Sequence, residues 1–531
     1  MNIFPNRPKL SRPLLAGMAS AFALAVAAPG PVQAQALDFD IKTYSPGITY
    51  SGLVITDINQ DGVTDLLLGS RNTNRVEVWS YDAMSGGVTL TGTIGPFPNN
   101  VHDIAVGDVD NDNDLDVVVG LRFSGVYWSE NLSNTSWSAA KFVDGSYSWR
   151  VILEDFDLDG NLDIFDGIDR FFAKMFYGNG AGTFTPGPVP AQTTSGTRAL
   201  SFDAAYLDSD GRIDLLGVEE AGSGNLRAFL NQSSPGAPAW ATDIAGNPNL
   251  GIFYPHEAPA FGDFDGNGFA DKLIIDYISA TNMAEIVLFE GGQGGNLVWQ
   301  RRVVDSLPGV WGGAMAADAD GDGHLDILVG GAGTSNDLVI YLGDGAGAFA
   351  KQVVTLGEGI GGLHALAVGD INQDGFPDIA GARNSPSPNG FEILLREPVE
   401  VAVDIKPGSC PNPLNRKARG VIPVAIASTP TFDATLIDPA SVTLNGVSPL
   451  RWRTEDVATP YEPFTGRSDP DSCTTLGPDG LTDLIFHFDT PSVVATLDPM
   501  LEVGDSVTLQ VSGQLLAGGG LVGEDVVKIV N

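Results

Sequence analysis

The sequence predicts an all-β fold: a seven-bladed propeller built on acidic loops, followed by a small β-sandwich-like domain. Three observations lead there. The 66 glycines and 34 prolines, with few runs of helix formers, favour short strands and turns. A nine-residue loop with side-chain oxygens at positions one, three, five and nine recurs along most of the chain. Its copies start at residues 57, 108, 155, 206, 263, 318 and 370, an interval of 47 to 57 residues, which suits propeller blades.

The chain opens with basic Arg7, Lys9 and Arg12, an apolar run from Leu14 to Ala28, and small residues around Val32-Gln33-Ala34 and Ala34-Gln35-Ala36. These are the three parts of a secretory signal, read as residues 1–36 and cleaved after Ala34 or Ala36. The apolar run is short and alanine-rich for a membrane span, so an uncleaved anchor is the alternative. A net charge of −38 disfavours nucleic acid and anionic membranes as partners and invites divalent cations. The expected address is secreted, cell-surface or periplasmic.

The first loop is Asp57-Ile-Asn59-Gln-Asp61-Gly62-Val-Thr-Asp65 and the second Asp108-Val-Asp110-Asn-Asp112-Asn113-Asp114-Leu-Asp116. The third is Asp155-Phe-Asp157-Leu-Asp159-Gly160-Asn-Leu-Asp163; the fourth is Tyr206-Leu-Asp208-Ser-Asp210-Gly211-Arg-Ile-Asp214. The fifth is Asp263-Phe-Asp265-Gly-Asn267-Gly268-Phe-Ala-Asp271, the sixth Asp318-Ala-Asp320-Gly-Asp322-Gly323-His-Leu-Asp326, and the seventh Asp370-Ile-Asn372-Gln-Asp374-Gly375-Phe-Pro-Asp378. Alternate hard oxygens around a sharp turn, with glycine or asparagine at position six, suit Ca²⁺. Tyr206 stands where the fourth loop needs its first carboxylate, which leaves six complete sites. Exposed acidic turns holding no ion are the alternative.

Short apolar runs flank each loop, such as Leu366-Ala367-Val368 before and Ile327-Leu328-Val329 after. A third strand and a glycine turn into a fourth follow, as in Leu342-Gly343-Asp344-Gly345-Ala-Gly347-Ala-Phe349. The seventh repeat stops at Ile393-Leu394-Leu395-Arg396 without a fourth strand, while Leu37-Asp-Phe39-Asp-Ile41 precedes the first loop with no blade of its own. That N-terminal strand is expected to complete the last blade and close the ring.

These in-phase loops and glycine turns resemble the FG-GAP or VCBS repeat family, best known from the N-terminal propellers of integrin α chains, over residues 37–397. The resemblance implies calcium in the six complete loops. It also implies that the strand before each loop is the innermost of its blade. Tyr50, His102, Trp149 with Arg150, His256 with Glu257, Trp311, and His364 lie five to seven residues before six of the seven loops. At about 3.3 Å per residue, they sit roughly 20 Å from the metal, ringing one mouth of the channel. Aromatic, basic and acidic groups around a concavity suit a sugar or polar peptide. Ordinary strand-end residues are the other reading.

The tail, residues 398–531, breaks the period and holds the only two cysteines, Cys410 and Cys473, most simply a disulfide in an exported chain. Two buried free thiols are the alternative. Strand-like Gly420-Val-Ile-Pro-Val-Ala-Ile and Leu484-Ile485-Phe486-His487-Phe488 point to a sandwich. The tail resembles a C-terminal module of assorted exported bacterial proteins. Asp479-Gly480-Leu-Thr-Asp483 copies half a calcium loop, but Thr475 and Gly477 fill the first two ligand positions, so it reads as a plain acidic turn.

Three function classes fit: a calcium-dependent binding or adhesion module for carbohydrate or extracellular protein, a propeller-type polysaccharide lyase or hydrolase, and a passive structural surface component. The chain carries no GxSxG, HExxH or GKS/T motif.

Overall fold

The computed structural model describes residues 37–530 except 134–135, 168–172, 190–197, 209, 221–225, 242–259, 279–280, 292–299, 310–312, 332–336, 357–361, 384–388 and 517–518. The expected signal segment, 1–36, lies outside the described residues, as do His256, Glu257 and Trp311. Among the described residues no helix is long and apolar enough to cross a membrane. The chain forms two compact units, one of Phe39–Ala319 and His324–Leu395, the other chiefly of Arg396–Asn531.

The first unit is propeller-like. Among the described residues seven antiparallel sheets follow one another along it, and in the first six the strands lie in sequence order. The first comprises Tyr50–Thr56, Asp65–Ser70, Val76–Asp82 and Gly87–Ile94. Second strands are covered on both faces, which is why they read as unbroken apolar runs: Leu66, Leu67 and Leu68, like Ile327, Leu328 and Val329, are fully buried. Outer strands such as Phe349–Thr355 are largely exposed, with Val354 alone buried. The fourth sheet shows three strands among the described residues, Arg198–Ala205, Asp214–Glu220 and Leu226–Phe229.

The unit closes on itself. The first strand of each sheet touches that of the next, and Leu363–Gly369 of the seventh touches Tyr50–Thr56 of the first. Asp38–Tyr44 forms the outer strand of the seventh sheet, as the sequence led us to expect. Arg383 Nη2 donates to Tyr44 O at 2.7 Å, and Tyr44 stacks on Phe391 at 4.7 Å. Cores lie between neighbouring sheets; one joins Leu66 and Leu68 to Ala380, Phe391 and Ile393 across the closure.

The second unit packs two sheets on one core. One sheet contains Ile437–Leu444, Ser506–Leu515 and Gly520–Val530; the other contains Ala402–Ile405, Val421–Ala427, Arg451–Glu455 and Asp483–Asp489. Val424 and Phe486 meet Leu509 and Ile529 between them. Cys410 and Cys473 form a disulfide, leaving no free cysteine.

Candidate functional site

Each acidic loop is held by its own carboxylates. Asp57 accepts from the backbone N–H groups of Asp61 (3.1 Å) and Gly62 (2.9 Å), and Asp155 accepts likewise from Asp159 and Gly160. Position five accepts from the N–H of position seven, as Asp61 does from Val63 at 2.8 Å. The backbone is left-handed at position six, where glycine or Asn113 stands, and also at position four, occupied by Gln60, Asn111, Leu158 and Gln373. Position four then reaches the next loop. Gln60 Nε2 donates to Asn113 O (2.8 Å), Asn111 Nδ2 to Asn161 Oδ1 (2.8 Å), and Gln373 to Gly62 O.

Position nine has a second task. Asp65, Asp116, Asp163, Asp214, Asp271, Asp326 and Asp378 are all fully buried. In every loop Oδ2 of this acid accepts the N–H of position two, for instance from Val109 at 3.0 Å, Phe156 at 2.9 Å and Leu207 at 2.9 Å. Oδ1 accepts from the end of the third strand: Gly178, Gly291 and Gly343 donate to Asp163, Asp271 and Asp326 at 2.8 Å. A Cβ on these glycines would lie 2.1, 2.7 and 2.3 Å from the carbonyl oxygens of Leu162, Ala270 and Leu325, which explains the glycine turn. Asn131 and Asn231 replace the glycine in two repeats, and their Nδ2 groups donate back to Ile58 O (3.2 Å) and Phe156 O (2.8 Å) of the preceding loops.

The residues fit a cation. Carboxylate oxygens of Asp108, Asp110 and Asp116 lie within 4.8 Å of one another, as do those of Asp155, Asp157 and Asp163, of Asp263, Asp265 and Asp271, and of Asp318, Asp320 and Asp326. Two oxygens sharing one Ca²⁺ are at most about 5 Å apart. Asp110 Oδ1 is buried with no hydrogen-bond partner, a cost that a bound ion would remove. In the first and seventh loops Asn59 and Asn372 stand at position three, so those sites offer fewer acids. Calcium in these loops would neutralise the acids and brace the turn. Burial holds Asp65 at about 6 and pushes Asp116, Asp163, Asp214 and Asp271 up to about 7, outweighing the N–H groups that favour the ionised form.

Sequence reasoning missed several members. Glu130, beyond the third strand of its repeat, joins Asp110 and Asp112 in a further acidic group. In the fourth loop Arg212 pairs with Asp210, bringing a cation to a turn whose first position is Tyr206; among the described residues no three-acid group forms there. The turn at Asp479–Asp483 also differs from expectation. Asp456, 23 residues upstream, accepts from the N–H groups of Asp479 (3.0 Å) and Gly480 (2.9 Å), while Asp483 accepts from Val457 (2.8 Å). A discontinuous segment supplies the first position, so Thr475 and Gly477 are not its equivalents.

At the other end of the strands two of the residues singled out in the sequence meet. His102 packs on Trp149, ring centroids 4.3 Å apart, and Arg71 Nη2 donates to His102 Nε2 at 3.3 Å. Arg122 stacks 5.0 Å from Trp149 and 5.1 Å from Phe123. Phe123 in turn meets Tyr147 edge-on at 5.2 Å. Burial together with Arg71 and Arg122 drives His102 down to about 3, so this imidazole is neutral at ordinary pH. His364 is 6% exposed, its Nδ1 bonded to Ala382 O at 3.0 Å, and lies beneath the surface rather than on it. Two members of the expected ring belong elsewhere. Tyr50 is fully buried and donates its hydroxyl to Glu77 at 2.5 Å, because the apolar strand end turns it into the core. Arg150 is drawn to Asp103 and Asp203, at 3.8 and 3.9 Å. Arg71, Arg122, Phe123 and Tyr147 come from turns far from the loops and carried no periodic signal.

No curated protein matches the chain. Among solved structures it is similar to the V. cholerae biofilm matrix protein Bap1, at 12% identity over 65% of this chain and 76% of that one, with a TM-score of 0.34. It is also similar to BBS1N in complex with ARL6DN, at 10% identity over 69% and 98% of the two chains, with a TM-score of 0.33. Residues 57–119, 263–329 and 318–381 match the FG-GAP-like repeat, and these stretches take in five of the seven acidic loops.

Proposed function

We propose that the chain is an exported protein with a seven-bladed calcium-binding propeller, residues 37–397, and a sandwich-like domain, 398–531. It acts outside the cytoplasm as a binding or adhesion module for carbohydrate or protein. The supporting observation is a division of labour along the strands. Acid triads within reach of one ion occupy one end, and Arg71, His102, Arg122 and Trp149 gather at the other. The first would set the rigidity of the ring, and the second would meet the ligand. A glycan and protein array with the purified mature chain should give saturable, product-free capture in calcium and weaker capture in chelator. Capture indifferent to chelator, with no bound calcium detected, would refute the calcium reading.

The lyase or hydrolase reading has one observation in its favour: the Arg71 and Arg122 guanidinium groups at this mouth could neutralise a substrate carboxylate, although His102, driven down to about 3, is too weak a base to take the proton. Shortened or unsaturated oligosaccharides from a polysaccharide panel would select it.

A further inference from the structure

The mouth at His102 and Trp149 runs against the charge of the whole molecule. The chain carries −38, yet the leading charges acting on the His102 imidazole are Arg71 and Arg122. Arg122 is exposed, and among the described residues it makes no ion pair; its guanidinium is held instead against Trp149 and Phe123. Phe123 and Tyr147 are 51% and 48% exposed, an unusual state for two neighbouring rings. One further polar donor, Trp149 Nε1, is buried without a hydrogen-bond partner.

From this juxtaposition we infer that the mouth binds an acidic glycan, with Arg122 and Arg71 facing the carboxylate of a uronate unit and Phe123 and Tyr147 facing its ring. The inference rests on the binding-module reading and narrows it to one ligand chemistry. A fixed guanidinium takes a carboxylate through paired N–H groups. Exposed aromatic faces beside it take a flat, partly apolar surface. A pyranose carrying its own carboxylate presents both within one rigid unit, whereas an acidic peptide carries them on separate flexible side chains.

Titration calorimetry on the full mature chain in calcium would use tetramers of glucuronate, mannuronate and galacturonate, their carboxyl-reduced counterparts, and a tetraglutamate peptide. At least one uronate tetramer should bind saturably, with its reduced form roughly tenfold weaker or worse. Arg122→Gln should weaken the uronate by about the same factor without altering the reduced form. Phe123→Ala should weaken both. Arg122 and Phe123 are exposed, so melting curves should match wild type and separate lost contacts from lost folding. Equal affinity for acidic and reduced sugars, or no effect of Arg122→Gln, would overturn the inference and leave the binding-module reading standing. Tetraglutamate binding without uronate binding would overturn it in favour of an acidic protein partner. Silence from every probe here would overturn it as well; silence from the full array besides would remove the broader reading with it.

Discussion

In the third loop Asp155 gathers the N–H groups of Asp159 and Gly160 and shares an acid triad with Asp157 and Asp163; in the fourth, Tyr206 takes that place and Arg212 pairs with Asp210. Below this difference the ninth acid does the same work in both. Asp163 accepts from Phe156, Asp157 and Gly178, and Asp214 accepts from Leu207 and Asn231, both acids fully buried. A loop that has lost its first acid has kept its ninth. The ninth acid therefore serves the fold by tying the loop to its third strand, whether or not a first acid is there to complete a triad with it.

The largest effect that separates the two roles comes from removing the ninth acid. Asp163→Ala leaves three buried N–H groups without acceptors, at about 1–3 kcal/mol each and not fully additive, so a loss of at least about 3 kcal/mol is expected. Asp214→Ala, which strands two such groups, should cost at least about 2 kcal/mol. Both losses should persist in chelator. Asp155→Asn keeps one of the two acceptors used by Asp159 and Gly160, so it should lose about 1 kcal/mol in chelator and in calcium forgo in addition one site's increment, about 2.7 kcal/mol when calcium stands at a hundred times its dissociation constant. Urea unfolding with and without calcium reads both. A ninth-acid variant rescued by calcium, or an Asp155→Asn variant equally unstable in chelator, would merge the two roles.

Proton linkage gives a smaller contrast, and Asp214 isolates it because its loop lacks the first carboxylate. Burial lifts this group from an ordinary carboxylate value to about 7. A raised value means that the folded state binds the proton more tightly than the unfolded chain does. The stabilisation is complete below about pH 4 and lost as pH rises through 7. Asp214→Asn, which cannot ionise, should gain on wild type across that interval. Unfolding curves at pH 4 and pH 8 test the sign; a gap that closes with rising pH would show that the N–H donors outweigh burial.

How much of this was legible in the sequence divides along the same line. The repeat, its phase and the closing strand Asp38–Tyr44 are local or periodic, and they can be read directly. Position four is different: Gln60, Leu158 and Gln373 are unremarkable residues that take a left-handed backbone because the turn demands it, and no side-chain preference announces that. The clamp at Asp163 depends on Gly178, 15 residues on, and the turn at Asp479 on Asp456, 23 residues back. The mouth shows the same limit. His102 was in register with the loops, but Arg71 reaches it from the neighbouring sheet, 31 residues away in sequence. Tyr50 shared that register and went inward, since spacing along a strand does not say which end residues the core will claim.

The smallest effect rebuilds the missing site. Tyr206→Asp restores the first carboxylate beside Asp208 and Asp210, which should cost about 0.5 kcal/mol in chelator through like-charge repulsion. Calcium should recover little of that, because Arg212 still supplies the local positive charge by pairing with Asp210. Adding Arg212→Asn, the residue that the third loop carries as Asn161, frees Asp210. Only the double variant should gain a calcium-dependent rise in melting temperature and one further bound ion per chain by equilibrium dialysis. If Tyr206→Asp alone gained both, the arginine would be incidental. If the double variant gained neither, an acid at the first position would not be what distinguishes the third loop from the fourth, and the assignment of ions to the other loops would need a different basis.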